Sequence, residues 1–213
     1  GHKGGNAFST HVIGFEVHSS IHYQGVSAIH EGARLIQWAT EQNELNRAKT
    51  PGPLAAMFDP PYTTWHVGRV SGGTADNITA KDCHFNMFYR AVPGDEPARL
   101  NQMYIDKVNE VKADMQAIRS EADIALKRRF AVPPLKPEEA GEAEGLVRAI
   151  TGDNASHVVS YGTEAGQFQE AGYSAVVCGP GDIAQAHQPN EYIEVAQFEA
   201  GQQFMRDLLA KLA

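Results

Sequence analysis

The hydrophobic and polar positions of the first 130 residues change period several times, and each period predicts one element. Alternation of apolar and polar residues indicates strands, and apolar residues three or four apart indicate helices. The predicted elements are strand 6–17, helix 25–47, strand 63–73, strand 80–94, helix 97–119 and strand 122–130. This order is typical of a βαββαβ unit, an antiparallel sheet with both helices on one face.

The same periods predict which side chains are buried. The first helix is predicted to bury a stripe at helical spacing: Val26, Ile29, Ala33, Ile36 and Ala39 or Thr40. The strand at 80–94 is predicted to bury every second residue: Cys83, Phe85, Met87 and Tyr89. The second helix is predicted to bury Leu100, Met103 or Tyr104, Val108, Val111 and Met115. Ser19 or Ser20 precedes the first helix and is the predicted N-cap.

The pattern changes after residue 128. Residues 131–141 are rich in Pro and acidic residues and predict a linker. The remainder alternates predicted helices and strands: helix 138–151, strand 157–161, helix 163–172, strand 174–181 and helix 195–212. Two parallel strands cannot form a sheet that buries both faces, so this αβαβα part is predicted to be incomplete and to dock onto further strands. The predicted fold class is α/β, with a two-layer α+β domain at 6–128 and an incomplete segment at 129–213.

Composition and charge narrow the class of protein. The 213 residues are 42% hydrophobic, enough for a core, and carry a formal net charge of −8 without a basic cluster, so we expect no nucleic-acid partner. No apolar stretch reaches the roughly 18 residues that span a bilayer, and no signal peptide is evident, so we expect no membrane partner. Cys83 and Cys178 lie far apart in apolar runs and are predicted to be buried free thiols of a cytoplasmic protein. The start at GHKGG, without Met, indicates a fragment, a processed chain or a shortened one.

The loop GPGDIAQAHQPNE at 179–191 contains the first metal candidate. His187 follows a predicted buried strand, where a neutral imidazole is well placed for Zn²⁺. A zinc site needs three or four protein ligands, and the other histidines form no HExxH motif and no tight His/Cys/Asp cluster. From the residues alone, a loop histidine without a special role is the more common interpretation.

His18 is the second candidate, because it ends a strand just before a predicted helix. An imidazole there can donate a hydrogen bond to an oxyanion, although an ordinary polar residue at this junction fits equally well. A weaker hypothesis uses Ser19 or Ser20 as a nucleophile with His18 as its base. Adjacent residues rarely form such a pair, and the chain has no G-x-S-x-G motif.

Asn77 and Arg90 are candidates for holding a substrate. Asn77 follows a Gly-Gly turn and can orient a carbonyl or carboxylate, although a plain hairpin turn explains the stretch as well. Arg90 lies near the end of a strand, where its guanidinium can hold a carboxylate with two parallel hydrogen bonds. The alternative for Arg90 is an ion pair with Asp95 or Glu96.

The stretch GTEAG at 162–166 adds two residues. Thr163 begins a predicted helix whose first amides would favour an anion. Glu164 lies in its first turn, where a favourable charge for the helix dipole is the more common interpretation.

Six blocks, taken together, resemble one family. They are GHKGG at 1–5, VHSS at 17–20, GGTADN at 72–77, FYRAVPGD at 88–95, GTEAG at 162–166 and CGPGDIAQAHQPNE at 178–191. In order and approximate spacing they resemble the M20 metallopeptidase and amidohydrolase family, and within it the acetylornithine deacetylase branch. The resemblance implies a catalytic domain with two zinc ions and an inserted βαββαβ lid, which also forms the dimer. This chain would hold the lid and the C-terminal part of the catalytic domain, while the N-terminal metal-binding segment is missing.

The resemblance also implies roles for single residues. His187 matches the last of the metal ligands, and the other ligands and the general-base Glu have no counterpart here. His18 matches the lid histidine that stabilises the oxyanion, often across the dimer. Asn77 and Arg90 match residues that hold the carboxylate end of the substrate, and Thr163 and Glu164 lie in the matching substrate-side loop.

The implied reaction is hydrolysis of an N-acyl amino acid to acetate and a free amine, a step of arginine biosynthesis when the substrate is acetylornithine. Zinc would polarise the carbonyl and activate a water, and the missing Glu would move its proton. We expect this chain alone to be inactive, because it has one ligand and no base. The alternative is a non-catalytic dimerisation or binding module of the lid fold.

Overall fold

In the computed structural model, which describes all 213 residues, the chain forms five strands and five α-helices. In order they are β1 Gly4–Ile13, α1 Ala28–Arg47, β2 Thr64–His66, β3 Val70–Gly72, β4 Asp82–Ala91, α2 Pro97–Ile118, β5 Asp123–Val132, α3 Glu142–Thr151, α4 Ala165–Glu170 and α5 Val195–Leu212. None of these helices is long and apolar enough to cross a membrane.

The five strands form one antiparallel sheet in the order β2-β4-β1-β5, with β3 also paired to β4. In the central ladder Gly4 pairs with Ala91 and Ile13 with Asp82. The strand expected at 63–73 is therefore two short strands that follow the same edge of β4. The mixed α/β class and the antiparallel lid sheet are confirmed. The division at residues 6–128 and 129–213 remains a prediction, and the sheet itself extends from Gly4 to Val132.

One face of the sheet carries both long helices and the hydrophobic core. The alternate residues expected on β4 are buried, and so is the stripe expected on α2. Trp65 lies at the centre of an aromatic cluster, with ring centroids 4.8 Å from Trp38, 5.0 Å from Tyr89 and 6.3 Å from Tyr104. Large aromatic side chains bury much apolar area each, so this cluster ties α1 and α2 to the sheet.

The stripe predicted for α1 was only partly right: Val26 and Ala39 are buried as expected, but Ile29 and Ala33 are exposed. The helix begins at Ala28, and its N-cap is Ser27, whose hydroxyl accepts from the His30 N–H; neither Ser19 nor Ser20 caps it. The buried residues are Ala28, Gly32, Leu35, Trp38 and Ala39, whereas Ile29 is 42% exposed. Leu35 and Trp38 fill the space over the sheet, and this packing selects the buried face among several partly apolar ones.

The second half has helices but none of the predicted strands. Residues 174–181 pair with no strand and Val177 is 40% exposed, so the buried strand expected there was wrong. An apolar run becomes a buried strand only where neighbouring strands accept its backbone hydrogen bonds, and no strand lies beside residues 174–181. Residues 157–161 contribute a single parallel bridge, Val159 to His2. Both cysteines are free, but only Cys83 is buried; Cys178 is exposed, contrary to expectation.

Candidate functional site

His18 lies at the start of an exposed 3₁₀ turn, Ser19–Gln24, and caps it. Its Nδ1 accepts from the Ser20 N–H at 3.2 Å and lies 2.8 Å from the Ser20 Oγ. A nitrogen that accepts carries no proton in the neutral ring, so Nε2 is assigned the N–H. The His18 Nε2 has no partner within this chain, and it is therefore free to donate to a ligand.

The contact between His18 and Ser20 also bears on the nucleophile hypothesis. The His18 Nδ1 and the Ser20 Oγ do form a hydrogen bond, although residues this close in sequence were expected to do so rarely. It is a local capping contact on an exposed turn, and no third side chain orients the imidazole through its other nitrogen. A nucleophile and base of this type need that orienting group, so the geometry does not favour the serine mechanism.

Asn77 lies beside His18, and backbone contacts hold the two together. The Ser19 N–H donates to the Asn77 carbonyl at 2.8 Å, and His18 forms a bridge with Ile78. The Thr79 hydroxyl also accepts a hydrogen bond from the Val17 N–H at 2.8 Å, which connects the same two segments. The Asn77 side chain is exposed and has no hydrogen-bond partner. These two predicted residues thus share one surface, near the Asp82 end of β4.

Arg90 lies at the other end of β4, on the sheet face opposite the core helices. It is half-buried and forms neither an ion pair nor a side-chain hydrogen bond. The alternative partner Asp95 is already engaged by Thr63 Oγ1 at 2.5 Å and by Arg99 at 3.4 Å. Arg90 is therefore a partly desolvated cation without an anion, the state expected of a guanidinium that receives one from a ligand.

Two glycines form the wall around the Arg90 guanidinium. A Cβ on Gly5 would lie 2.9 Å from the Arg90 Nη1, and a Cβ on Gly162 would lie 3.6 Å from the same atom. Gly162 comes directly before Thr163 and Glu164, so the structure brings Arg90 close to the 162–164 loop. Thr163 is half-buried, and its Oγ1 accepts from the Ala165 N–H at 3.1 Å. Glu164 is exposed, and α4 is only six residues long.

The junction that positions the 162–164 loop is built from the first residues of the chain. His2 bridges Leu135 on one side and Val159 on the other. Lys3 is 1% exposed, and its ammonium donates to the carbonyls of Pro60 at 2.6 Å and Tyr62 at 3.3 Å. Burial lowers the pKa of Lys3. The burial of His2 and Lys3 could not be predicted from the sequence, because a Lys before a strand gives no local signal that it is buried.

His187 lies on an exposed loop in a left-handed backbone conformation, with φ of 58°. Positive φ is uncommon for a residue with a side chain and is often found at functional sites. Its backbone N–H donates to the Glu191 carboxylate at 2.9 Å. No further pair of ligand-bearing side chains gathers around it, so this chain alone does not fit a dinuclear zinc site.

One cluster escaped the sequence analysis, which expected no close group of histidines and acidic residues. His11 on β1 meets Asp82 and His84 on β4, with His11 Nε2 and Asp82 Oδ1 2.7 Å apart. The signal was present, because Asp82 and His84 are two apart on a strand and so share a face. The partner strand and its register could not be deduced from spacing.

The six predicted residues fall into three groups. His18 and Asn77 lie near one end of β4, Arg90 and the 162–164 loop lie near the other end, and His187 lies in its own loop. Eight residue steps separate Asp82 from Arg90, about 26 Å at the rise of a strand. A single copy of the chain therefore does not bring His18 and Arg90 to one small molecule.

Comparison with known proteins gives the family. The profile described as "Peptidase dimerisation domain" of the M20 group matches residues 1–116. An acetylornithine deacetylase from Myxococcus xanthus is 34% identical over 184 residues, which is 86% of this chain and 46% of that protein. The chain spans about half the length of the curated relatives it matches.

Solved structures agree in fold. A tripeptidase from Staphylococcus aureus superposes with a TM-score of 0.69 at 17% identity, over 97% of this chain and 51% of that one. An M20 family metallo-carboxypeptidase from Sulfolobus solfataricus gives 0.68 at 13% identity, over 98% and 58%. The resemblance expected from the six blocks is thereby confirmed, and the chain belongs to the M20 metallopeptidase family, in which it is close to acetylornithine deacetylase.

Proposed function

We propose that this chain is the lid and the C-terminal catalytic segment of a zinc-dependent N-acyl-amino-acid deacylase of the acetylornithine deacetylase type. The reaction would hydrolyse the amide of an N-acyl amino acid to acetate and a free amine. The observation that carries the proposal is Arg90, a half-buried guanidinium without an anionic partner beside the 162–164 loop. Every N-acyl amino acid has a carboxylate that fits this cation.

Arg90 and its surroundings would bind the carboxylate end of the substrate. The guanidinium offers two parallel N–H donors, which fix the orientation of a carboxylate as well as attract it. Gly5 leaves room for this, because a Cβ there would lie 2.9 Å from the guanidinium and crowd it, whereas a Cβ at Gly162 would only reach van der Waals contact at 3.6 Å. Thr163 and Glu164 lie next to Gly162 and would contact the rest of the substrate, and Asn77 would contact it from the partner's lid.

We propose a homodimer through the lid, with His18 acting across it. Within one chain about 26 Å of strand separates the His18 end of β4 from Arg90, too far for one substrate. In a two-fold dimer every contact between residue i of one copy and residue j of the other occurs twice, so His18 of each copy can face Arg90 of the other. The His18 Nε2–H would then donate to the oxyanion that forms when the amide carbonyl is attacked.

The metal site is proposed to be shared with residues outside this chain. His187 would supply one imidazole to a pair of zinc ions, and its exposed loop and positive φ are compatible with that role. The other ligands and the general base would come from an upstream catalytic segment. That segment would also cover the apolar side chains that α5 and the preceding loop expose: Ile183, Tyr192, Ile193, Val195, Phe198, Met205, Leu209 and Leu212. We place the enzyme in the cytoplasm, where the free Cys83 and Cys178 would stay reduced.

The first experiment compares this chain alone with the chain joined to the N-terminal half of the Myxococcus xanthus relative. Hydrolysis of N-acetylornithine and bound zinc are measured for both. We expect activity only in the joined protein, and loss of both activity and part of the zinc in its His187→Ala variant. The alternative function is a non-catalytic dimerisation module, and it would be indicated by a stable, inactive dimer in which the added half neither creates activity nor increases the zinc content per chain.

The second experiment tests whether the site is completed by the partner copy. In the joined protein, His18→Ala and Arg90→Gln variants should each be nearly inactive. After mixing and re-association, a heterodimer holds one site with both residues intact, so about a quarter of the wild-type activity should return. If His18 and Arg90 acted within one copy, no mixture would recover activity. A Tyr23→Phe variant, altered on the same exposed turn, is the control for folding of that turn.

A further inference from the structure

We propose that the open face of the lid sheet binds a divalent transition-metal ion, such as Zn²⁺, through His11, Asp82 and His84. The three side chains come from the two central strands and point away from the helices. One potential ligand atom from each lies within 4.8 Å of the other two. This site does not depend on the deacylase function proposed above.

The sheet register places these residues together. His11 on β1 is directly opposite His84 on β4, and their rings stack with centroids 3.9 Å apart and planes 22° apart. Asp82 is two residues before His84, so its side chain emerges on the same face. Directly opposed residues of an antiparallel pair have Cβ atoms about 5 Å apart, which holds the two imidazoles at the spacing of a chelate.

The donor set matches the chemistry of zinc and its neighbours. Two imidazole nitrogens and a carboxylate oxygen form a common protein set for Zn²⁺ with an open fourth position. Ligand bonds of about 2.0 to 2.1 Å at tetrahedral angles require donor atoms about 3.3 Å apart. The His11 Nε2 and Asp82 Oδ1 are 2.7 Å apart and share a hydrogen bond. With a small side-chain rotation, and with the shared proton released to water or moved to the His11 Nδ1, both atoms could bind the ion.

The surroundings permit access and adjustment. The side chain of His11 is 33% exposed and that of Asp82 is 46% exposed, and His84 is exposed as well. The backbone beneath them is held by the longest ladders of the sheet, β1 with β4 and β1 with β5. The side chains therefore have room to rotate while their attachment points are fixed. A bound ion would connect β1 to β4 and leave one position for water or for a ligand from solution.

The test is zinc binding by the 213-residue chain, stripped with a chelator and titrated in competition with a chromophoric zinc indicator. We expect one zinc per chain. His84→Ala, a change at an exposed residue, should weaken binding at least about tenfold, and Asp82→Asn should weaken it as well. His66→Ala, an exposed histidine of the same sheet, and His187→Ala should leave the affinity unchanged. Far-ultraviolet circular dichroism of each variant verifies that the fold is retained.

A second readout is thermal stability. A ligand that binds only the folded chain, at 100 times its dissociation constant, shifts the folding equilibrium about 100-fold. Zinc should therefore raise the melting temperature of the wild-type chain and of His187→Ala, but not that of His84→Ala. The proposal is overturned if the chain binds no zinc, if His84→Ala binds it as tightly as wild type, or if His187→Ala removes the binding.

Discussion

The hydrogen bond between Thr10 and Tyr104 offers a quantitative test of how the lid core is held together. Thr10 Oγ1 and the Tyr104 hydroxyl are 2.7 Å apart, and both residues are 0% exposed. Removal of either hydroxyl leaves the other buried without a partner. An unsatisfied buried polar group costs about 1–3 kcal/mol, so Tyr104→Phe and Thr10→Val should each lower the free energy of unfolding by that amount.

The double variant gives the sharper result. With both hydroxyls removed, no polar group is left unpaired, and the cost should fall below that of either single change. The coupling energy from the double-mutant cycle is then of the order of 1–3 kcal/mol. Urea unfolding followed by tryptophan fluorescence measures it, because the Trp38 and Trp65 rings lie 5.7 and 6.3 Å from Tyr104. If the losses of unfolding free energy in the two single variants add up to the loss in the double variant within about 0.5 kcal/mol, the reasoning is refuted.

The same residue predicts the response to alkaline pH. Burial raises the pKa of Tyr104 above its usual value of about 10. Above that pH the unfolded chain loses the phenol proton while the folded chain keeps it, so the free energy of unfolding falls as pH rises, by up to about 1.4 kcal/mol per pH unit. Tyr104→Phe should remove this part of the slope. Tyr173→Phe, at a residue 67% exposed, is the matched control and should leave the slope as in wild type.

Three further predictions concern glycines and thiols. Gly32→Ala should destabilise the lid because its Cβ would lie 2.9 Å from the Cys83 Sγ, whereas Gly145→Ala meets nothing within 4 Å and should stabilise α3 by about 0.5–1 kcal/mol; urea unfolding compares them. Gly152→Ala should shorten α3, measured by circular dichroism, because Gly152 ends it with φ of 70°. Ellman's reagent should label one thiol rapidly in the folded chain, Cys178→Ala should remove that phase, and Cys83 should react only after unfolding.

The lid could be predicted from sequence because its elements bury one face each. On β4 every second residue is apolar, and on α2 the apolar residues recur at helical spacing. In both elements these apolar residues are the ones that face the core, so the sequence period predicts the buried side chains correctly. On α1 several faces are partly apolar, so the period alone does not decide that Leu35 and Trp38, rather than Ile29, lie above the sheet. The strand expected at 174–181 failed for another reason: no strand of this chain lies beside it to accept its backbone hydrogen bonds.

For the candidate site, too, the sequence named candidate residues but not the neighbours that surround them in the fold. Its position near a strand end made Arg90 a carboxylate-binding candidate, but the sequence could not choose between a ligand and an ion pair with Asp95 or Glu96. The structure contains neither ion pair: Thr63 and Arg99 bind Asp95, and Glu96 does not pair with Arg90. The contact of Arg90 with Gly162 joins residues 72 positions apart, and the meeting of His11 with His84 joins residues 73 apart. Contacts of this length depend on the strand register, which local patterns do not contain.

The two edges of the sheet differ in a way that bears on the proposed dimer. The β5 edge carries Lys127, Arg128 and Arg129, and two copies joined there would place like charges together, a common defence of edge strands against pairing. The β3 edge exposes Val70 instead, at 54%. β3 pairs with the first residues of β4, the same end of the sheet at which His18 lies. Contact through the β3 edge would therefore place His18 close to the partner copy, as a site completed across the dimer requires.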